Sequence, residues 1–533
     1  MKYFYERNTE FLNSEFNKKF EEILWMSKDE FREWIIGLRK MIVHNWDVNG
    51  QPPRVGANET EIVEQFNQMT SFPVWKFEET DELTNEKDVI RNTSLIGNAV
   101  NQWFPTMMKT KINYTKNHEN AKSIYDYFAR DDLLENFLTY ASRHFKRDSF
   151  YHYSSPIRLN QKIEIGSLVF MPKTAEEFVE WFETKARNFG THDYWLDQFS
   201  NDNEDGEYTG YLNHLDYLKE KKELLIKRDD IERLGVPAQC LTNIDATHYK
   251  KGVDTFRIRL FEKEQKIFPV GFKAFRVSFC QYAVNFPPLT AKYLYERYTE
   301  PFKNQQQINI YDPSAGWGGR LIGAMSIDDE RNINYIGTDP NTDHNTDDGR
   351  TKYHQVADFF NTKTYRAYGL FPKTHTYEIF QHGSEEIHKD PAFQKYKGEI
   401  DLIFTSPPYF AKEAYSDDPE QSYKKFSSYD LWRDGFLRQT LETCYEYLRN
   451  DRYLLWNIAD VIFDKESLPL EQDSIDILTG LGMIYKGKLK MALASMPGSN
   501  RVDPDTGLPN TKNFCKVNNM WLKYEPIFVF YKP

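Results

Sequence analysis

Two short stretches carry residue types whose spacing could do chemistry. Ser406-Pro407-Pro408-Tyr409 follows directly on the apolar run Ile400, Leu402, Ile403, Phe404. Consecutive prolines fix φ and remove two N–H donors, so the corner is stiff and its carbonyls can point outward. The Ser406 hydroxyl and the Pro407 carbonyl can each accept a hydrogen bond from an amino group. Such a grip turns a nitrogen lone pair toward an electrophile. Tyr409 offers a ring for stacking on a planar base, a contact worth about 1–3 kcal/mol. Taken alone, the corner also fits a rigid turn with an ordinary core tyrosine.

The second stretch, residues 308–326, reads INIYDPSAGWGGRLIGAMS. A short strand ends at Asp312-Pro313, a turn rich in glycine follows, and a helix is predicted from about Arg320. Gly316, Gly318 and Gly319 let backbone approach a ligand where a β-carbon would collide. The order D-P-x-x-G-x-G-G differs from a dinucleotide GxGxxG, and a lone glycine turn is weak evidence. The next strand, NYIGTDPN at 334–341, adds to it by ending on Asp339, 27 residues after Asp312. An acid at that point can accept both ribose hydroxyls of a nucleoside cofactor. A third strand, 376–387, is predicted to end near Gly383-Ser384, so three strand ends would line one crevice.

These motifs need a sheet to hold them. From about residue 265 short apolar strands alternate with helices, the pattern of an α/β fold with a parallel sheet. Before that the reading is mainly helical. Phe20, Ile23, Leu24, Phe31, Trp34, Ile35 and Leu38, then Ile62 and Phe66, keep helical spacing, with Asn49-Gly50 and Pro52-Pro53 as breaks. Residues 117–147 and 175–188 also read as helix, 159–171 as strand, and 201–206 as a solvated acidic loop. The division predicted is a mainly helical region, 1–265, and an α/β domain, 266–533.

Bulk composition narrows the class. A chain of 533 residues with 40% hydrophobic and 28% charged residues is long enough for more than one packed domain. The net charge of −12 leaves no global footprint for a polyanion, so cations would have to gather locally. Lys250, Lys251, Arg257, Arg259, Lys263 and Lys266, and later Lys486, Lys488, Lys490 and Arg501, could do so, although such runs are more often solvated faces. Four scattered cysteines form no CxxC pair and no metal spacing, so the expectation is buried thiols, no disulfide frame and no bound metal. The first residues lack a signal-like apolar core and no run reaches membrane-spanning length, so a cytoplasmic, membrane-free protein is expected. Asp254, Glu262, Glu264 and Lys266 loosely resemble a metal nuclease set, but their spacing does not fit.

Jointly, the motifs resemble those of the amino-methylating DNA methyltransferases, the N4-cytosine and N6-adenine enzymes. The resemblance covers about 265–533 and implies a Rossmann-like methyltransferase domain with a mostly parallel sheet that uses S-adenosyl-L-methionine. It implies cofactor contacts at Asp312, Gly316, Gly318 and Asp339, and a catalytic loop at Ser406, Pro407, Pro408 and Tyr409. The segment NFPPLTAKYLYERY at 285–298 is similar to the family helix that closes over the methionine end of the cofactor, implicating Phe286 and Pro287. Residues 429–461 match the helix and fifth strand, and 525–533 the final strand. The third strand departs from the pattern: Gly383-Ser384-Glu385-Glu386 stands where Asp often contacts the adenine, leaving Ser384 or Glu385 for that role.

The implied reaction places a methyl group on the exocyclic amino group of a base flipped out of double-stranded DNA. Thr-Ser-Pro-Pro-Tyr resembles the N4-cytosine enzymes more than the N6-adenine ones. Adenine N6 or RNA as target, and a catalytically silent DNA- or partner-binding protein, are the alternatives. A cytosine-C5 enzyme is excluded, because that chemistry needs a cysteine nucleophile and no Pro-Cys pair occurs. Target recognition falls either to the N-terminal half or to the loop at 495–519.

Overall fold

The computed structural model describes residues 28–49, 57–94, 103–113, 121–130, 283–363, 375–493 and 512–533, with short isolated pieces elsewhere. The helix expected at 175–188 and the acidic loop at 201–206 lie outside the described residues, as do Phe20, Ile23 and Leu24. Two compact units emerge: one holds residues 1–8, 49–126 and 281–533, the other 9–48 and 127–280.

In the second unit, helix α1 (Lys28–Asn49) buries Trp34, Ile35, Leu38, Ile42 and Trp46, one apolar stripe at helical spacing. Two antiparallel strand pairs follow, Ile163–Ile165 with Leu168–Phe170 and Glu223–Lys227 with Thr255–Arg259. The first falls within the strand expected at 159–171.

The first unit is built on a ten-stranded sheet. Its strands are β1 (Glu78–Asp81), β2 (Glu86–Ile90), β3 (Ile308–Asp312), β4 (Ile333–Thr338) and β5 (Thr376–Phe380). They continue with β6 (Ile400–Thr405), β7 (Leu448–Asn457), β8 (Ile484–Ala492), β9 (Phe514–Val517) and β10 (Met520–Lys532). The spatial order is β1-β2-β8-β10-β7-β6-β3-β4-β5, with β9 pairing on β10. Strands β3 to β7 run parallel, and β10 lies antiparallel between β7 and β8. This is the Rossmann-like α/β architecture expected from the sequence.

Period-two alternation explains why these strands read as continuous apolar runs. Ile308 and Ile310 of β3, with Leu402 and Phe404 of β6, face one layer, while Tyr311 and Ile403 face the other. The first layer comprises α2 (Glu59–Thr70), α3 (Pro288–Thr299), α4 (Gly319–Met325) and α5 (Lys352–Lys363). The second comprises α6 (Arg438–Tyr447) and α7 (Leu470–Gly480). Helix α2 starts at a reciprocal capping box, Asn58 with Glu61, and its Phe66 stacks on Phe360 of α5 at 4.0 Å. Thus residues well before 266 complete the layer beside the sheet.

The chain winds outward from β3 through β4 to β5, then returns to place β6 on the other side of β3. In such sheets a crevice opens beyond the carboxyl ends of the strands where the winding reverses. Asp312 and Thr405 end the two strands that flank this point.

Candidate active site

Asp312 closes β3 and is fully buried. Its carboxylate receives the Arg320 Nε at 2.8 Å, the Tyr335 hydroxyl at 2.6 Å and the Thr405 hydroxyl at 2.8 Å. These donors come from α4, β4 and β6, so one side chain ties the glycine turn to both neighbouring strands. A charge this deep is tolerable because Arg320, also buried, neutralises it directly. The Ser314 N–H reaches Thr405 Oγ1 at 3.2 Å, a second tie between the glycine turn and the strand that leads into Ser406. The two sequence motifs therefore meet in space.

The turn itself is bound on every side. Ala315 N–H donates to the Thr338 carbonyl at 2.9 Å, and Gly316 and Gly318 take positive φ values of 57° and 72°. Gly319 is needed for a different reason: a β-carbon there would lie 2.1 Å from the Phe286 carbonyl and 2.8 Å from Asn285 Oδ1. The close approach at Gly319 is therefore to the chain's own 285–287 segment. Asn285 clasps the turn with both ends of its amide, donating to the Trp317 carbonyl at 2.7 Å and accepting from Gly319 N–H at 3.3 Å. Phe286 is buried edge-on against Phe404 at 5.1 Å, and Pro287 caps α3. These two residues reach the site by bracing the turn from behind.

A β-carbon at Gly316 would sit in ordinary contact with the Ser314 carbonyl at 3.7 Å and the Arg320 guanidinium at 3.8 Å, so it is the positive φ that calls for glycine there. Asp339 sits beside Gly316, just past β4. Its Oδ2 accepts Gly316 N–H at 2.9 Å and its Oδ1 accepts Asn341 N–H at 3.0 Å. Burial raises its pKa to about 6, with those two N–H groups pulling the other way. Tyr353 of α5 supports the same corner, its hydroxyl bonded to the Gly316 carbonyl and 2.9 Å from His344 Nδ1. Burial drives the His344 pKa down to about 3, so the ring is neutral. Its Nε2 lies 3.2 Å from the Thr106 hydroxyl. Phe104 packs on His344 and Tyr353 and touches the Cα side of Gly318. A segment far upstream, 103–113, thus walls one side of the turn.

Strand β5 stops at Phe380, earlier than the sequence reading placed its end. Ser384 is buried beyond it, with its hydroxyl 2.9 Å from that of Thr440 in α6. Glu385, also buried, pairs with Lys425 at 2.8 Å. Both side chains are engaged with the helical layer.

The Ser406–Tyr409 corner rises from β6. The Tyr409 ring is half-buried, and its hydroxyl donates to Glu525 Oε1 of β10, with the Asn457 carbonyl at 3.3 Å. Glu413 pairs through its strand with Ile112 of the 103–113 segment and accepts the Tyr415 hydroxyl at 2.8 Å. Tyr415 packs against Trp317 of the glycine turn at 5.6 Å. Beyond it, Asp418 accepts the Thr342 hydroxyl at 2.8 Å, so the 410–418 loop bridges from the proline corner to the Asp339 side.

Thr405, Asn285, Tyr353, Phe104 and Glu525 went unnoticed in the sequence. Only Thr405 carried a usable signal, as a hydroxyl ending a buried strand level with Asp312. Lys490, counted among possible phosphate contacts, is buried and committed to Asp81 at 2.6 Å and Asp88 at 2.7 Å. Among the described residues no group of metal-ligand type is clustered, and no helix is long and apolar enough to cross a membrane.

Residues 400–533, about a quarter of the chain, match the family model described as DNA methylase. No curated protein matches the chain. Among solved structures, a class I S-adenosylmethionine-dependent methyltransferase of Listeria monocytogenes, so titled, is 15% identical. The match covers 46% of this chain and 58% of that one, with a TM-score of 0.27. A Thermus thermophilus chain titled a DNA modification methylase, complexed with S-adenosyl-L-methionine, is 18% identical over 28% of this chain and 54% of that one, TM-score 0.19. An O-methyltransferase of Thermotoga maritima is 10% identical over 53% and 75%, TM-score 0.24. The chain thus spans little more than half of the first two, and these likenesses concern the fold alone.

Proposed function

With its last quarter matching the DNA methylase family, we propose that this chain transfers a methyl group from S-adenosyl-L-methionine to an exocyclic amino group of a base flipped out of double-stranded DNA. Cytosine N4 is the favoured target, from the serine that opens the proline corner, and adenine N6 is the alternative. The observation that carries this reading is the Thr405–Asp312 hydrogen bond with its Ser314 companion, which fixes the corner beside the glycine turn.

The residues fit the cofactor. The Asp339 carboxylate, just past β4 beside the glycine turn, suits a nucleoside by accepting the ribose hydroxyls. Gly318 shapes the turn through its positive φ. Asp312, Phe286 and Pro287 act by holding that turn, and Ser384 by holding the neighbouring loop against α6. The sulfonium of S-adenosylmethionine supplies an already electrophilic methyl group, so this chain contributes mainly positioning.

Ser406 Oγ and the Pro407 carbonyl accept the two amino protons, which favours a tetrahedral nitrogen with its lone pair free. The Tyr409 ring supports the base, against the few kcal/mol that flipping costs. The test is expression in a methylation-free host, with modified positions read across the DNA by single-molecule sequencing. Wild type leaves marks at defined sites and Ser406→Ala leaves almost none while still binding cofactor. If wild type leaves no mark, the proposal fails.

A further inference from the structure

β10 touches the proline corner and also extends past the ends of the parallel strands. Ile527 pairs with Asn457, the last residue of β7, which puts Glu525 just beyond that edge, where it accepts the Tyr409 hydroxyl. Farther out, β9 and β10 form a two-stranded ribbon, with Phe514 opposite Lys523, Cys515 opposite Leu522 and Lys516 opposite Trp521. Asn518 and Asn519 close it at positive φ values of 50° and 60°, in a two-residue turn that fixes the register. The ribbon is anchored along one side. Lys516 donates its N–H to Asp81 Oδ1 at 3.1 Å, and its carbonyl accepts the Glu82 N–H at 2.8 Å.

Alternation sorts the side chains of the ribbon into two faces. Cys515, Val517, Leu522 and Tyr524 are buried together with Val89 of β2. Phe514, Lys516, Trp521 and Lys523 share the opposite face. There Phe514 meets Trp521 edge to face at 5.3 Å, and the Lys516 ammonium lies 5.7 Å from the Trp521 ring centre. Both rings are half-buried and Lys523 is exposed. Glu525 belongs to this face too, so the face begins at Tyr409 and runs outward. At about 3.4 Å per residue, Lys523 stands ~7 Å and Trp521 ~14 Å from Glu525. These intervals match about two and four steps of a DNA strand, whose charges advance roughly 3.4 Å each along the axis. Lys516 is held only loosely, because Glu82 lies 3.7 Å away and a surface pair of that length contributes little. Of the lysines singled out in the sequence, Lys490 is occupied by Asp81 and Asp88, and Lys488 pairs opposite Phe528, on the other face.

We propose, on the basis of the function given above, that this face of the β9–β10 ribbon is the docking surface for the duplex beside the flipped base. Lys523 and Lys516 neutralise phosphates, while Trp521 and Phe514 cover the apolar sugar edges between them. Continuity and charge both select DNA as the occupant. The Tyr409–Glu525 bond joins the face directly to the corner. The chain carries a net charge of −12, so a polyanion needs a local positive seat, and here one adjoins the site. A ribbon already fixed by its turn and its side anchors loses little freedom on binding.

The test measures binding of a fluorescein-labelled, mixed-sequence duplex to the full chain by anisotropy, from about 50 to 200 mM salt. Each phosphate contact adds about 0.9 to the slope of log affinity against log salt, so the double variant Lys516→Gln, Lys523→Gln should flatten it by about 1.8. Trp521→Ala should weaken binding on the order of tenfold without changing the slope, and Trp521→Phe should recover part of that loss. Cofactor affinity, read by calorimetry, stays at the wild-type value in all three and shows that they fold. An unchanged slope in the double variant would overturn the docking surface, as would the same flattening from Lys488→Gln. Tighter, lysine-dependent binding of single-stranded RNA would overturn DNA as the occupant. A double variant with the wild-type slope, beside a wild type that methylates DNA, removes the docking face and leaves the function standing. A wild type that binds duplex through these lysines but leaves no methyl mark does the reverse.

Discussion

The Asp339 carboxylate accepts the Gly316 N–H of the glycine turn at 2.9 Å. The bond couples the ends of β3 and β4 and orients the acid before any ligand arrives. It also leaves that acid dependent on pH. Burial raises its pKa from 3.8 to about 6, and ribose hydroxyls need the ionised form as acceptor.

Cofactor affinity should therefore fall as pH drops through 6. With ionisation required, the dissociation constant rises about tenfold between pH 7 and pH 5. The free protein responds in the opposite sense. Its folded state binds the proton more tightly than the unfolded chain, so this group's contribution to stability declines as pH rises from 3.8 to about 6. Calorimetric titration of wild type and Asp339→Asn checks both, since the variant should bind weakly with little pH dependence. A flat wild-type profile would remove Asp339 from the cofactor site.

Gly319→Ala should damage the site without touching a ligand. Its methyl group would strike the Phe286 carbonyl, a backbone atom with no rotamer to escape into. Overpacking of this kind costs about 1–3 kcal/mol. Denaturant unfolding should show that loss, and cofactor affinity should fall with it as Asn285 is pushed off the turn. Gly480→Ala serves as a control, because nothing lies within 4 Å of its added carbon.

Much of this site was legible because its chemistry is local in sequence. Asp312, Gly316, Asp339 and Ser406 each sit at the end of a buried apolar strand, and short strands capped by chemically unusual residues announce themselves. Glu525 did not, although the strand carrying it was foreseen. Its contact with Tyr409 arises from an antiparallel register that places a strand's beginning where its neighbours end. Phe104 and Thr106 were hidden for a related reason, since their contacts with Gly318 and His344 span more than two hundred residues. Asp312 was foreseen as a ligand contact, yet three side-chain donors occupy it.

That crowding makes Asp312 a strong test of what holds the turn. Removing it strands the buried Arg320 charge, and breaking a pair of this kind typically costs about 3–5 kcal/mol. Asp312→Ala should thus lower the denaturation midpoint sharply. Replacing both partners by Asp312→Leu and Arg320→Met should restore much of the stability, because no lone charge remains inside. Cofactor binding should stay weak in both, since neither restores the Thr405 link.

The hairpin β1–β2 is the least expected part of the sheet, and its attachment yields the last prediction. β2 pairs with β8 through Lys490 opposite Val89, and the Lys490 ammonium reaches Asp81 and Asp88. Burial disfavours the Asp81 charge, but the Lys490 ammonium and the Lys516 and Leu83 N–H groups together outweigh it and lower the pKa; burial likewise opposes the Lys490 charge, but Asp81 and Asp88 together raise its pKa. Asp81 therefore contributes stability above its ordinary 3.8 that is lost as pH falls further, and Lys490 stability below 10.5 that is lost as pH rises further. Lys490→Ala strands two carboxylates and should destabilise the sheet by about 3–5 kcal/mol at neutral pH, with a smaller further loss in acid than wild type. A fragment starting at residue 266 would expose β8 as an edge strand and strip α2 from Phe360. We expect that fragment to aggregate where one keeping residues 49–126 stays monomeric by light scattering. A stable, monomeric 266–533 fragment would show that the hairpin and α2 are dispensable.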